Sequence, residues 1–178
     1  MNAEDDARPI VYRASLTHNL RALYPSSEVI DMKINWSRFV IGALVVTVIC
    51  FFSDGFMHEK LLASDWKSIY AASGAAEPQE HSTALLYFFI FEIGRGVLSM
   101  FLYVLMRGCC GAGPKTAVFA AIAAWFAFSL TGPAQFIPLG FFSNQLWLKA
   151  GAIQLITSII ATLAGAALYK DARTPSSA

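Results

Sequence analysis

The sequence predicts an all-α membrane protein: an up-down bundle of four transmembrane helices, with an amphipathic N-terminal arm and an amphipathic outer loop helix. The chain has 178 residues, of which 56% are hydrophobic and 14% are charged, whereas soluble domains average about 25% charged residues. Each of four apolar segments is close in length to the ~20 residues that a helix needs to cross a ~30 Å hydrocarbon core. These segments are residues 39–56, 83–106, 116–137 and 146–169.

The placement of lysine and arginine predicts the orientation. We divide the chain into an N-terminal arm (1–35), a transmembrane domain (36–170) and a C-terminal tail (171–178). Cytoplasmic segments carry an excess of Lys and Arg. The arm and the start of the first span hold five such residues: Arg8, Arg13, Arg21, Lys33 and Arg38. Both termini are therefore expected in the cytoplasm and the protein in a bacterial inner membrane.

Two segments outside the spans have amphipathic patterns. Residues 9–23 place apolar side chains at helical spacing, which fits either a helix on the inner leaflet or a fraying tail. No apolar core of a signal peptide is visible in the arm. The outer loop after the first span carries a helical stripe that includes Trp66 and Tyr70, and these residues are typical anchors at a membrane interface.

Glu92 and Arg95 lie inside the second span. An ionised side chain at that depth costs roughly 2.5–3.5 kcal/mol on insertion scales. Their i,i+3 spacing places both on one helix face, where they neutralise each other. Three roles fit this intramembrane ion pair: fixing the helix register, transport or proton relay, and contact with a partner subunit or a lipid headgroup. The fourth span adds polar side chains at Gln154, Thr157 and Ser158.

A second group of polar residues is expected at the outer helix ends, formed by Asp54, His58 and Gln135. Asp54 and His58 share a face at i,i+4 spacing, which suits a hydrogen-bonded clamp, a proton relay or two metal ligands. A metal would need further ligands, for which Glu59, His81 and Glu92 are the candidates, and we expect none. Pro133 and Pro138 break the third helix, and the amide of Gln135 can bond the carbonyl groups that they free.

Other sites have little support in the sequence. Cys50 lies in the first span, and Cys109 and Cys110 lie at a glycine-rich turn, where two small residues fit better than a lipid-attachment or metal site. The formal net charge of +1 gives nucleic acid no electrostatic attraction. No phosphate-binding loop, nucleophile elbow or zinc-protease motif is present. We therefore expect no catalytic residue and no cofactor.

Several short motifs resemble a group of small bacterial four-helix membrane proteins of unknown function, and the similarity covers residues 37–170. Those proteins carry Asp-x-x-x-His at the end of the first span, as Asp54 and His58 do, and Gln-x-Ile-Pro after the third, as 135–138 does. Glu92 and Arg95 are not part of the matched pattern. The resemblance implies the fold and implies no activity.

These features favour a non-enzymatic membrane protein, either a structural or accessory subunit or a self-associating bundle. Its expected partners are the lipid bilayer and a homo-oligomer or a larger membrane complex. The alternative is a small-solute or proton-coupled transporter with a polar site around Glu92 and Arg95. A third possibility is a metal- or redox-dependent enzyme that uses Asp54, His58 and the cysteines.

Overall fold

A computed structural model describes residues 34–74, 83–141 and 143–170. The expected arm helix at 9–23, the tail at 171–178 and His81 lie outside these residues. The described residues form helices and turns without a strand. The helices are α1 (Trp36–Phe56), α2 (Ala63–Ser73), α3 (Ala84–Cys110), α4 (Pro114–Trp125), α5 (Thr131–Ala134) and α6 (Asn144–Leu168). A π-helical turn, Met57–Leu61, follows α1, and a second one, Phe126–Leu130, joins α4 to α5.

Four helical segments are long and apolar enough to cross a membrane. They contain 21 to 27 residues, which is about 31–40 Å of helix at ~1.5 Å per residue. The segments are Trp36–Leu61, Ala84–Cys110, Pro114–Ala134 and Asn144–Leu168. The predicted fold class, an all-α four-helix membrane bundle, is confirmed.

The spans are arranged in a closed ring. The first span, α1, packs against α3 and α6, and α4 packs against the same two helices on the other side. Consecutive spans are thus neighbours, and the last returns to the first, as in an up-down bundle. Only residues 111–113 separate α3 from α4, and Gly111 supplies the positive φ of +79° that this tight reversal requires.

Small residues let the helices approach closely. A Cβ atom added to Gly165 would lie 2.7 Å from the carbonyl oxygen of Gly42, so the backbones of α1 and α6 are almost in contact there. A Cβ atom on Gly96 would lie 2.6 Å from the carbonyl oxygen of Ala43 and would also overlap Thr47. Such close crossings are typical of transmembrane helices, which gain van der Waals contact from small residues.

Aromatic residues organise the end of the bundle where α1 begins and α6 ends, which we call the Tyr169 end. The rings of Tyr103 and Tyr169 meet edge to face at 6.2 Å. The guanidinium group of Arg107 lies over both rings, at 5.6 Å and 4.9 Å from their centres. Tyr169 Oη also accepts a hydrogen bond from the backbone of Asn35. The start of α1 is thereby joined to the end of α6.

The opposite end, which we call the Trp66 end, contains both π-helical turns. Proline cannot donate a backbone hydrogen bond and crowds the carbonyl four residues earlier. The turn Phe126–Leu130 directly precedes the segment with Pro133, and helix continues to Ala134. Trp147 Nε1 donates to the carbonyl oxygen of Leu130 at 2.9 Å. The third span therefore widens locally before the proline.

We expect Gly96→Ala to lower the stability of the bundle, because its new methyl group would collide with the backbone of α1. Overpacking of this kind costs about 1–3 kcal/mol. Gly55→Ala is the matched control, since a Cβ atom at Gly55 meets nothing within 4 Å, and alanine is the better helix former by up to about 1 kcal/mol. Thermal unfolding of the purified variants in detergent measures both effects. Equal stability of the two variants would contradict the close crossing.

Candidate functional site

The polar side chains inside the bundle converge on Arg95 of α3. Arg95 Nη1 lies 2.6 Å from Asp54 Oδ2 of α1 and 3.3 Å from both carboxylate oxygens of Glu92. Arg95 Nη2 donates to Ser158 Oγ of α6 at 3.1 Å. Gln154 Nε2, also on α6, donates to Asp54 Oδ2 at 2.7 Å. We call these five residues the Arg95 cluster, and together they connect three of the four spans.

Helix geometry explains why Asp54 and Arg95 meet. Asp54 lies ~10 Å of helix from the Trp66 end of its span, and Arg95 lies ~16 Å from the start of α3, at ~1.5 Å per residue. Side chains on a helix tilt toward its N-terminus. Because α1 and α3 run in opposite directions, Asp54 tilts away from the Trp66 end and Arg95 tilts toward it. These opposite tilts compensate for the difference in depth between the two residues, so the side chains meet.

Thr47 and Gly96 position the turn of α3 that carries the charges. Thr47 Oγ1 donates to the carbonyl oxygens of Ala43, at 2.9 Å, and of Glu92, at 3.2 Å. This hydroxyl group therefore connects α1 to α3 at the level of Glu92. The absence of a side chain on Gly96 allows the contact, since a Cβ atom there would overlap Thr47. The cluster thus depends on a close crossing of two helices.

The cluster is buried but not fully balanced. Arg95, Glu92 and Asp54 are only 1%, 4% and 7% exposed. Two carboxylates face one guanidinium group, so the formal charge with all three ionised is −1. Among the described residues, no donor reaches Asp54 Oδ1 and no acceptor reaches Arg95 Nε. An unbalanced charge in a hydrocarbon interior is costly, so this site has the chemistry to take up one further positive charge.

The structure joins Asp54 to Arg95, whereas the sequence suggested a contact with His58. His58 Nδ1 instead accepts a hydrogen bond from Trp66 Nε1 at 2.8 Å. In the described part of the chain, no hydrogen bond connects Asp54 with His58. The i,i+4 argument assumes an unbroken α-helix, but His58 lies in the π-helical turn Met57–Leu61. This wider turn changes the direction of the side chains that follow Asp54.

Gln135 lies apart from the Arg95 cluster. Its amide donates to the carbonyl oxygen of Gly132 at 2.9 Å, in an exposed position after the third span. Asp54, His58 and Gln135 therefore have three separate partners and are not brought together. Sequence reasoning did not connect Gln154 and Ser158 with Asp54 and Arg95. Their i,i+4 spacing on an apolar helix is the one local signal that could have indicated a shared inward face.

The described residues contain no group of three or more His, Cys, Asp or Glu side chains able to hold a metal ion. All three cysteines are free thiols. Cys50 is buried, whereas Cys109 and Cys110 are exposed, with sulfur atoms 3.2 Å apart. The Arg95 cluster is therefore the candidate functional site that the structure defines best.

Comparisons with protein-family models, with curated proteins and with solved structures find no match to this chain. The resemblance to small bacterial four-helix membrane proteins stays a prediction.

We expect Asp54→Asn to destabilise the protein by about 3 kcal/mol, because removing one partner leaves Arg95 buried with a weaker counter-charge. Asp65→Asn is the matched control. Asp65 pairs with Lys149 at 3.0 Å, but both side chains are about one-third or more exposed, and such surface pairs contribute under about 1 kcal/mol. Thermal unfolding in detergent should show a shift of roughly 10 °C for Asp54→Asn and under about 4 °C for the control. Similar shifts in both variants would contradict a dominant role of Asp54.

Proposed function

We propose that this chain is a non-enzymatic subunit of a bacterial inner membrane, with both termini in the cytoplasm, and that it self-associates through α3 as an accessory component of a membrane assembly. The observation that supports self-association is an inward-facing stripe on α3 that the bundle covers only in part.

The stripe follows helical spacing along α3. From Glu92 onward its positions are buried: Glu92, Arg95, Gly96, Ser99, Met100, Tyr103 and Val104. The same spacing, extended toward the start of α3, reaches Phe89, Phe88 and Leu85, which are 36%, 50% and 67% exposed. A face that is interior over most of the helix is therefore only partly covered over its first two turns, where Phe89 contacts Phe51 of α1 edge to face. A second helix packed there would continue the core.

The position of this partly covered segment favours a protein neighbour over lipid alone. Phe88 and Phe89 lie one helical turn before Glu92 and thus border the Arg95 cluster. A packed helix shields a buried charge from headgroups and water more completely than mobile lipid chains do. A second copy of the chain offers the same stripe, and two identical patches facing each other form an isologous contact.

Cysteine cross-linking in native membranes tests this proposal. In a background in which the three native cysteines are replaced, Phe89→Cys should give a dimer with a short bismaleimide, because the two-fold contact places each copy of position 89 near the other. Ile156→Cys is the matched control: Ile156 is 62% exposed on α6, away from the stripe. We expect at least a fivefold excess of dimer at position 89. No dimer at position 89, or equal yields at both positions, would contradict the proposal.

A second candidate function, small-solute or proton-coupled transport, is favoured by one observation. The Arg95 cluster places three ionisable side chains in the interior of a membrane bundle, and such residues often mark ion or proton pathways. The cluster lacks one positive charge for neutrality. What supplies this missing positive charge can be determined without knowledge of the transported solute.

A further inference from the structure

The two carboxyl groups of the Arg95 cluster have different surroundings. Asp54 Oδ2 accepts two short hydrogen bonds, from Arg95 Nη1 at 2.6 Å and from Gln154 Nε2 at 2.7 Å. Short bonds of this kind are typical of an ionised acceptor. Both oxygens of Glu92 lie at the longer distance of 3.3 Å from the same nitrogen, and the carboxyl group of Glu92 also interacts with the carboxyl group of Asp54. Asp54 is therefore the counter-ion of Arg95, and Glu92 carries the surplus charge.

Among the described residues, no further cationic side chain contacts Glu92. His58, one turn after Asp54, interacts electrostatically with Asp54 but is hydrogen-bonded to Trp66. On α1, the nearest buried titratable side chain is Cys50, one turn before Asp54. On α3, the next charged residue is Arg107, which lies over the tyrosine rings of the Tyr169 end. The helix α6 contributes Gln154 and Ser158, which do not titrate, and its charged residue, Lys149, is paired with Asp65. The titratable side chain of the third span is Lys115, at the start of α4 and thus at the far end of the bundle.

We propose that Glu92 is a proton-binding site inside the membrane and that its carboxyl group holds one exchangeable proton, which makes the Arg95 cluster neutral. The ligand is a proton from water at the Trp66 end, ~12 Å of helix away at ~1.5 Å per residue. A hydronium ion gives this proton to a Glu92 oxygen and leaves as water, so one O–H bond breaks and one forms. This inference does not rest on self-association.

Two further atoms support a proton site. Asp54 Oδ1 and Arg95 Nε are buried and have no partner among the described residues. One is an acceptor and the other a donor, which together suit a buried water molecule within the cluster. Such a water supplies a hydrogen-bonded route by which a proton reaches a carboxyl group. The unpaired atoms favour a hydrated route into the cluster, whereas the weaker contacts of Glu92 favour this carboxyl group as the site of uptake.

Infrared spectroscopy of the purified full chain in lipid bilayers at neutral pH tests the proposal. A protonated carboxyl group gives a C=O stretching band separate from that of carboxylates. We expect this band in the wild type, with a shift in deuterated water and a further shift after selective ¹³C labelling of glutamate carboxyl groups. Glu92→Gln should abolish the band. Glu59→Gln, which changes an exposed glutamate, should leave it unchanged.

Three results would overturn the proposal: no such band in the wild type, a band that shifts with labelled aspartate instead of glutamate, or a band that disappears when sodium replaces a bulky organic cation. The last result would identify a sodium ion as the occupant. The amide in Glu92→Gln is uncharged like the protonated carboxyl group, so we expect this variant to fold, which circular dichroism checks. If it does not fold, the labelling of the wild-type protein alone decides. Failure of the cross-linking experiment would leave this band unaffected.

Discussion

The guanidinium group of Arg95 is the constraint on which the rest of the bundle depends. A charge on an isolated helix in hydrocarbon costs roughly 2.5–3.5 kcal/mol or more, so Arg95 needs partners at its own depth. Asp54 supplies the opposite charge from α1, and Ser158 supplies a hydrogen-bond acceptor from α6. Because these partners come from different helices, they fix the rotation and the depth of three spans at once.

Close helix packing follows from the same requirement. Lipid chains are as apolar as the helix surfaces, so the hydrophobic effect does not hold transmembrane helices together, and close contact and interhelical hydrogen bonds specify the arrangement. The crossings at Gly96 and at Gly165 bring α3 and α6 close to α1, and Thr47 bonds across the first of them. The contacts of the Arg95 cluster therefore depend on the small residues that allow these close crossings. The second buried carboxyl group beside Arg95, that of Glu92, is the feature that packing alone does not explain.

The sequence predicted the parts of this structure that depend on one helix at a time. Span length and apolarity predicted the four-helix fold, and i,i+3 spacing placed Glu92 and Arg95 on one face. The partner of Asp54 could not be predicted, because it depends on how α1 is rotated against α3, which no pattern within a single span encodes. The π-helical turn at Met57–Leu61 removed the regular spacing on which the expected contact with His58 relied. The π-helical turn before Pro133 has a local cause, but the sequence indicated only that the helix would be interrupted there.

The most direct test of a bundle organised by Arg95 is the coupling between Asp54 and Arg95. A double-mutant cycle compares the free energies of unfolding of Asp54→Asn, Arg95→Gln and the double variant, under detergent conditions in which unfolding is reversible. Each single variant leaves a buried charge without its main partner, whereas the double variant removes both charges. We expect the double variant to be at least about 2 kcal/mol more stable than the sum of the single effects implies. Additive effects within about 0.5 kcal/mol would contradict it.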